Sequence, residues 1–158
     1  MSERKRDELD IDDKNERDDR CEWIMIRLLL VEDEPLVCQG LRMWLGQMRE
    51  VLVVGEAHSD VEALQLARQL APDVVLLDLS RPPSQGISAI AALRAARPQA
   101  AVVFLSLHDD APRRAEARAA GAYAFVGKQE GLPALLTAIR LAGDRNSGAV
   151  LPIPHTMP

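Results

Sequence analysis

Cysteine is nearly missing from this 158-residue chain, which has only Cys21 and Cys38. Two such residues, far apart, make neither a disulfide framework nor a CxxC metal pair, and they fit a reduced, cytoplasmic setting. His58 and His108 stand without cysteine partners, so no histidine–cysteine ligand set is in place. An excess of positive charge is missing too. With 19 basic against 24 acidic residues and a net charge of -5, the chain is a poor nonspecific binder of phosphate backbones. Long apolar runs are absent: Arg27 interrupts Ile24–Val31, and no run approaches the roughly 18 residues that cross a bilayer. The N-terminal region mixes acids with bases, unlike a signal peptide.

What is present is a 47% apolar content, enough for one domain with a real core. Residues 1–25 carry Arg4, Lys5, Arg6, Asp12, Asp13, Asp18 and Asp19 around isolated Leu9 and Ile11. Such a segment cannot recover its ordering entropy, so a solvated tail is expected, with Met25 as the natural start.

From residue 26 short apolar runs alternate with helical periodicity. Strands are expected at Arg27–Glu32, Val51–Ala57, Val74–Asp78, Ala101–Ser106 and Ala122–Val126. The first helix spans Pro35–Met48, with Trp44 and Met48 in the core by spacing and Cys38 a small buried hydrophobe. Asp60 caps a second helix carrying Val61, Leu64, Ala67 and Leu70, which stops at Ala71-Pro72. Gly86 leads into a third with Ile87, Ile90, Ala91 and Leu93 inward. Asp109 or Asp110 with Pro112 begins an alanine-rich fourth, ended by Gly121, and a fifth starts near Pro133 with Leu135, Leu136 and Ile139 inward. Five β-α units imply an α/β fold, a doubly wound five-stranded parallel sheet with helices on both faces.

Open parallel sheets bind ligands beyond the carboxyl ends of their strands. That rim receives Glu32 and Asp33 from strand one, Asp78 from strand three, Ser106 from strand four and Lys128 from just past strand five. Acids gathered there raise one another's proton affinity unless a cation or Lys128 compensates. Hard oxygen donors with retained waters suit magnesium bridging Asp33, Asp78 and a phosphoryl oxygen. A carboxylate can attack phosphorus to give an acyl phosphate, which makes Asp78 the candidate nucleophile. Lys128 and the Ser106 hydroxyl are candidates to contact the transferred group. Arg113, Arg114 and Arg118 form a basic side of the fourth helix, either simply solvated or facing an acidic partner.

Taken in order, Ile26-Arg-Leu-Leu-Leu-Val-Glu32-Asp33-Glu34-Pro35, Val74-Val-Leu-Leu-Asp78, Val103-Phe-Leu-Ser106 and Gly121-Ala-Tyr-Ala-Phe-Val-Gly-Lys128 resemble the receiver domain of bacterial two-component response regulators, nearest the NarL/FixJ type. The resemblance covers about residues 26–143. It implies a CheY-like sheet of order 2-1-3-4-5 and phosphotransfer to Asp78 from a sensor histidine kinase or phosphotransfer protein. Mg2+ would be held by Asp33, Asp78, Glu32 (through water) and the Ser80 carbonyl. Ser106 would then move toward the phosphoryl group and Phe125 turn inward. This alters the face of helix 4, strand 5 and helix 5 for a downstream protein or a second copy. Such a receiver catalyses only its own phosphotransfer and dephosphorylation.

Residues 144–158, without periodicity, resemble a flexible tail or linker remnant. No helix-turn-helix output domain follows in this chain, so no direct DNA binding by it is expected. Phe125 stands where tyrosine is commoner. Arg81 adds a cation after the acceptor, and Leu107 occupies a commonly small position beside the phosphoryl site. These two open an alternative, a pseudo-receiver that binds proteins without phosphorylation. A phosphatase of similar topology would need a second Asp where Pro35 stands, and a flavin site a phosphate-cradling loop where Glu34-Pro35-Leu36 stands.

Overall fold

Side chains alternate from one face of a strand to the other, so a run of apolar residues in a central strand must feed two cores at once. The computed structural model, which describes residues 25–79 and 83–146, has this arrangement. Strands β1 (Ile26–Glu32), β2 (Val51–Ala57), β3 (Val74–Asp78), β4 (Ala101–Ser106) and β5 (Ala124–Gly127) form one parallel sheet of order β2-β1-β3-β4-β5. This is the anticipated doubly wound order.

Leu28, Leu30, Val74, Leu76 and Val103 enter one core with residues of α1 (Pro35–Leu45) and α5 (Leu132–Asn146). Leu29, Val31, Val75, Leu77 and Phe104 enter the other, with residues of α2 (Asp60–Leu70), α3 (Pro83–Ala96) and α4 (Ala111–Ala120). The faces differ in what the helices bring. The first receives Leu41, Leu45, Leu135 and Ile139, the second mostly methyl groups from Ala63, Ala67, Ala89 and Ala117, with Ile90 and Leu93.

Several boundaries depart from expectation, each for a local reason. Asp60 does not cap α2. Ser59 does, its hydroxyl accepting from Glu62 N at 3.2 Å while Glu62 Oε2 accepts from His58 N at 3.1 Å. Ser with Glu three residues on is a capping pattern that the neighbouring Asp obscured. Val61 is consequently 62% exposed, and Ala63 and Ala67 make the contact. In α3, Ala89 rather than Ala91 is buried beside Ile90 and Leu93.

Helix α1 stops at Leu45, with Gly46 as its cap, yet Trp44 and Met48 still pack against the core. Strand β5 begins two residues late, at Ala124. Helix α5 continues through Gly143 to Asn146. A Cβ on Gly143 would lie 2.5 Å from Ile26 Cγ1, so that glycine provides room for close packing rather than a stop. Asp110 caps α4 by accepting from Arg113 N at 2.8 Å, and Gly121, at φ 108°, ends it as expected. Residues 144–146, expected in the C-terminal tail, are thus helical, and the rest of the expected tails, 1–24 and 147–158, lies outside the described residues.

Leu76 is fully buried at the middle of β3. Leu76→Ala should lower the free energy of unfolding by about 3 kcal/mol through lost burial and the cavity left behind. Urea denaturation checks this, and a loss below about 1 kcal/mol would contradict the packing described.

Candidate functional site

Parallel pairing of β1 with β3 places Glu32 opposite Asp78 in the ladder. Both are 1% exposed. Two carboxylates thus share a space where ionising both is costly. Lys128, in a 3-10 turn after β5 (Lys128–Glu130), brings Nζ to 3.0 Å from Asp78 Oδ1. Glu32 Oε1 accepts from Glu34 N at 3.0 Å. Glu32 Oε2 and Asp78 Oδ2 are buried and have no partner in the carboxylate form.

One ammonium does not balance two acids. Burial pushes Glu32 up to about 9; its hydrogen bond to Asp78 and the Asp78 charge act in the same direction, against the Glu34 amide and Lys128. With no cation bound, the balance favours the protonated form of Glu32.

Asp33 is partly buried and lines a hollow of about 110 Å3 with His58, Ser59, Asp60, Leu79 and Gln85. Asp78 and Lys128 line a second, of about 220 Å3, whose other walls include Val37, Leu41, Leu105, Leu132 and Leu135. Ser106 ends β4, but its Oγ accepts from His108 N at 3.1 Å, so the hydroxyl is engaged with its own loop. Phe125 packs edge-on to Phe104, ring centroids 5.6 Å apart, with the Arg114 guanidinium 4.9 Å above its ring. Leu107 is 67% exposed and does not fill the rim. Ser80 and Arg81 lie outside the described residues.

Among the described residues no three His, Cys, Asp or Glu side chains form a metal cage. Magnesium does not require one, since it keeps several waters and takes one or two carboxylates. The orphaned Glu32 and Asp78 oxygens are hard donors of that kind, so the residues present fit the ion.

A cluster next to the rim escaped the sequence reading. Arg114, placed there on a plain basic stripe, forks onto Asp109 through Nε and through Nη2 at 2.8 Å. This holds Asp109 below its ordinary value and raises Arg114. Gln129 Nε2 donates to the same Asp109 carboxylate at 2.9 Å, and Glu130 Oε2 accepts from Gly127 N at 2.6 Å and from Arg114 Nη2 at 3.3 Å. The doubled Asp109-Asp110 was the available signal: one acid caps the helix, which leaves the other for a different partner.

Fold and rim together define an open parallel α/β domain with a cluster of ionisable side chains at the strand ends. The profile of the response regulator receiver domain matches residues 28–140, and this chain belongs to that family. The response regulator GacA of Pseudomonas viridiflava is 38% identical over 123 residues, spanning 77% of this chain and 58% of GacA. UvrY of Escherichia coli K12 is 34% identical over 116 residues, 73% of this chain and 53% of UvrY. The chain thus spans little more than half the length of these relatives. A LuxR-family two-component response regulator from Aurantimonas superposes with a TM-score of 0.70 at 32% identity, covering 77% of this chain and 86% of that one. The NarL receiver domain of Mycobacterium tuberculosis gives 0.66 at 30% identity, covering 79% and 98%. No helix among the described residues is long and apolar enough to cross a membrane.

Because the folded chain binds the Glu32 proton up to about 9 and the unfolded chain only to about 4.5, the folded state holds the extra proton between those values. Glu32's contribution to stability is complete below about 4.5 and is lost as pH rises through 9. In chelator-treated protein, Glu32→Gln should therefore gain stability over wild type progressively as pH is raised across that window. Urea unfolding at a series of pH values reads the difference, and parallel profiles would contradict the shift.

Proposed function

We propose that this receiver accepts a phosphoryl group on Asp78 from a sensor histidine kinase or phosphotransfer protein. The change would pass to a downstream protein through α4, β5 and α5. The observation that supports this best is the state of Asp78: buried, one oxygen held by Lys128 and the other without a partner when Glu32 is ionised. A desolvated, oriented carboxylate with a free oxygen suits attack on phosphorus. The new O–P bond forms at Asp78 as the P–N bond to the donor imidazole breaks, and Lys128 stays beside the phosphorylated side chain as the fixed cation.

Asp33, Asp78 and, through water, Glu32 are the side chains that would hold magnesium, with the Ser80 carbonyl as a further donor. When bound, the ion neutralises charge on the transferred group. Ser106 reaches that group only by giving up its bond from His108 N. Phe125, lacking a hydroxyl, reports the change through packing against Phe104 alone. Exposure of Leu107 removes one of the two motives for the pseudo-receiver; the other, Arg81, lies outside the described residues.

Incubation with acetyl phosphate and magnesium chloride should add one phosphoryl group by intact mass, and Asp78→Asn should add none. No gain by wild type, with plausible kinases tested as well, would reject phosphotransfer and leave the pseudo-receiver.

A further inference from the structure

We propose that Arg114 is a positioning residue that clamps the loop after β4 to the turn after β5, and so holds Ser106 in its resting place. The inference rests on the reading of Asp78 as phosphoacceptor and adds the element that resists the switch.

Ser106 and Lys128 come from adjacent strands, and Ser106 pairs with Gly127 in the β4–β5 ladder. The loop beyond Ser106 has one acid, Asp109, turned back toward the strand ends. Its Oδ2 would lie 2.7 Å from a Cβ on Gly127, so the carboxylate sits directly on a position open only because that residue is glycine. Arg114 grips Asp109 from α4 with two nitrogens, and Gln129 grips it from the turn carrying Lys128. The same guanidinium contacts Glu130 and covers Phe125. A planar fork engaged on two edges and one face is well determined, and lysine cannot reproduce it.

For the Ser106 hydroxyl to turn to a group on Asp78, it must leave His108 N, only one residue before the clamped Asp109. Loop movement therefore works against the clamp. Cutting the clamp raises the population of the shifted arrangement, and with that arrangement as the reactive one the rate of phosphoryl gain rises with its population.

The test measures the rate of phosphoryl gain from acetyl phosphate and magnesium by intact mass for wild type, Arg114→Met, Asp109→Asn and the double variant. Each single variant should react about fivefold faster, near the low end of ordinary coupling between sites. The double variant should react no faster than either, because both cut one device. Arg114→Lys should fall between wild type and Arg114→Met. Hydrogen exchange on the unphosphorylated proteins should show lost protection at the Gly127 amide in Arg114→Met and near-wild-type protection in the sheet, which separates release of the clamp from general unfolding. Unchanged or slower rates in the single variants, or multiplied effects in the double, overturn the clamp while wild-type phosphorylation still stands. No phosphorylation in any of the five proteins, with plausible kinases tested as well, overturns both readings.

Discussion

Everything at the rim follows from burying two acids side by side with a single cation. Glu32 and Asp78 are brought together by the β1–β3 register, which the apolar alternation of those strands fixes; a one-residue slip would send every leucine to the wrong face. The hydrophobic effect thus enforces an arrangement that electrostatics alone would reject. Lys128 relieves it for Asp78, and a proton relieves it for Glu32. The site's demand for positive charge, met by an ammonium and a proton when no other cation is bound, is built in by the same packing that makes the fold.

This accounts for the way the remaining elements terminate. Strand β5 ends at Gly127 and turns at once into the short helix that delivers Lys128, and Glu130 in that turn ties back onto the Gly127 amide. The lysine is about one-quarter exposed, so it is partly desolvated while its stem lies along the leucine-lined hollow. Its charge is worth more there than at an open surface.

Much of this was legible in the sequence because buried parallel strands are unusually explicit. Val74–Asp78 carries four apolar residues and then an acid, and nothing in a helix or loop competes for that pattern. Strand order and the convergence of Glu32, Asp78 and Lys128 followed from it. Helix details were less legible. Ser59 and Asp60 are both good caps, and their neighbour's hydrogen bond decides between them. Gly143 has the composition of a helix end but the role of a spacer under Ile26. Arg114 was beyond reach for a different reason: its partners Asp109, Gln129 and Glu130 belong to two loops, and only the fold makes those loops neighbours.

The alanine-lined face of the sheet has a mechanical meaning. A leucine interlocks with its neighbours through rotamers, so a helix anchored by several of them moves only when several side chains rearrange together. A methyl group has no rotamer to change and no entropy to recover. Helix α4 has one fully buried side chain, Ala117, and otherwise meets the sheet side of the molecule through partly buried Ala120 and through Arg114 over Phe125. Its seat is correspondingly smooth, whereas α1 and α5 are interlocked with the sheet by Leu41, Leu45, Leu135 and Ile139. With so little friction in the packing, the polar contacts at the end of the track become the brake.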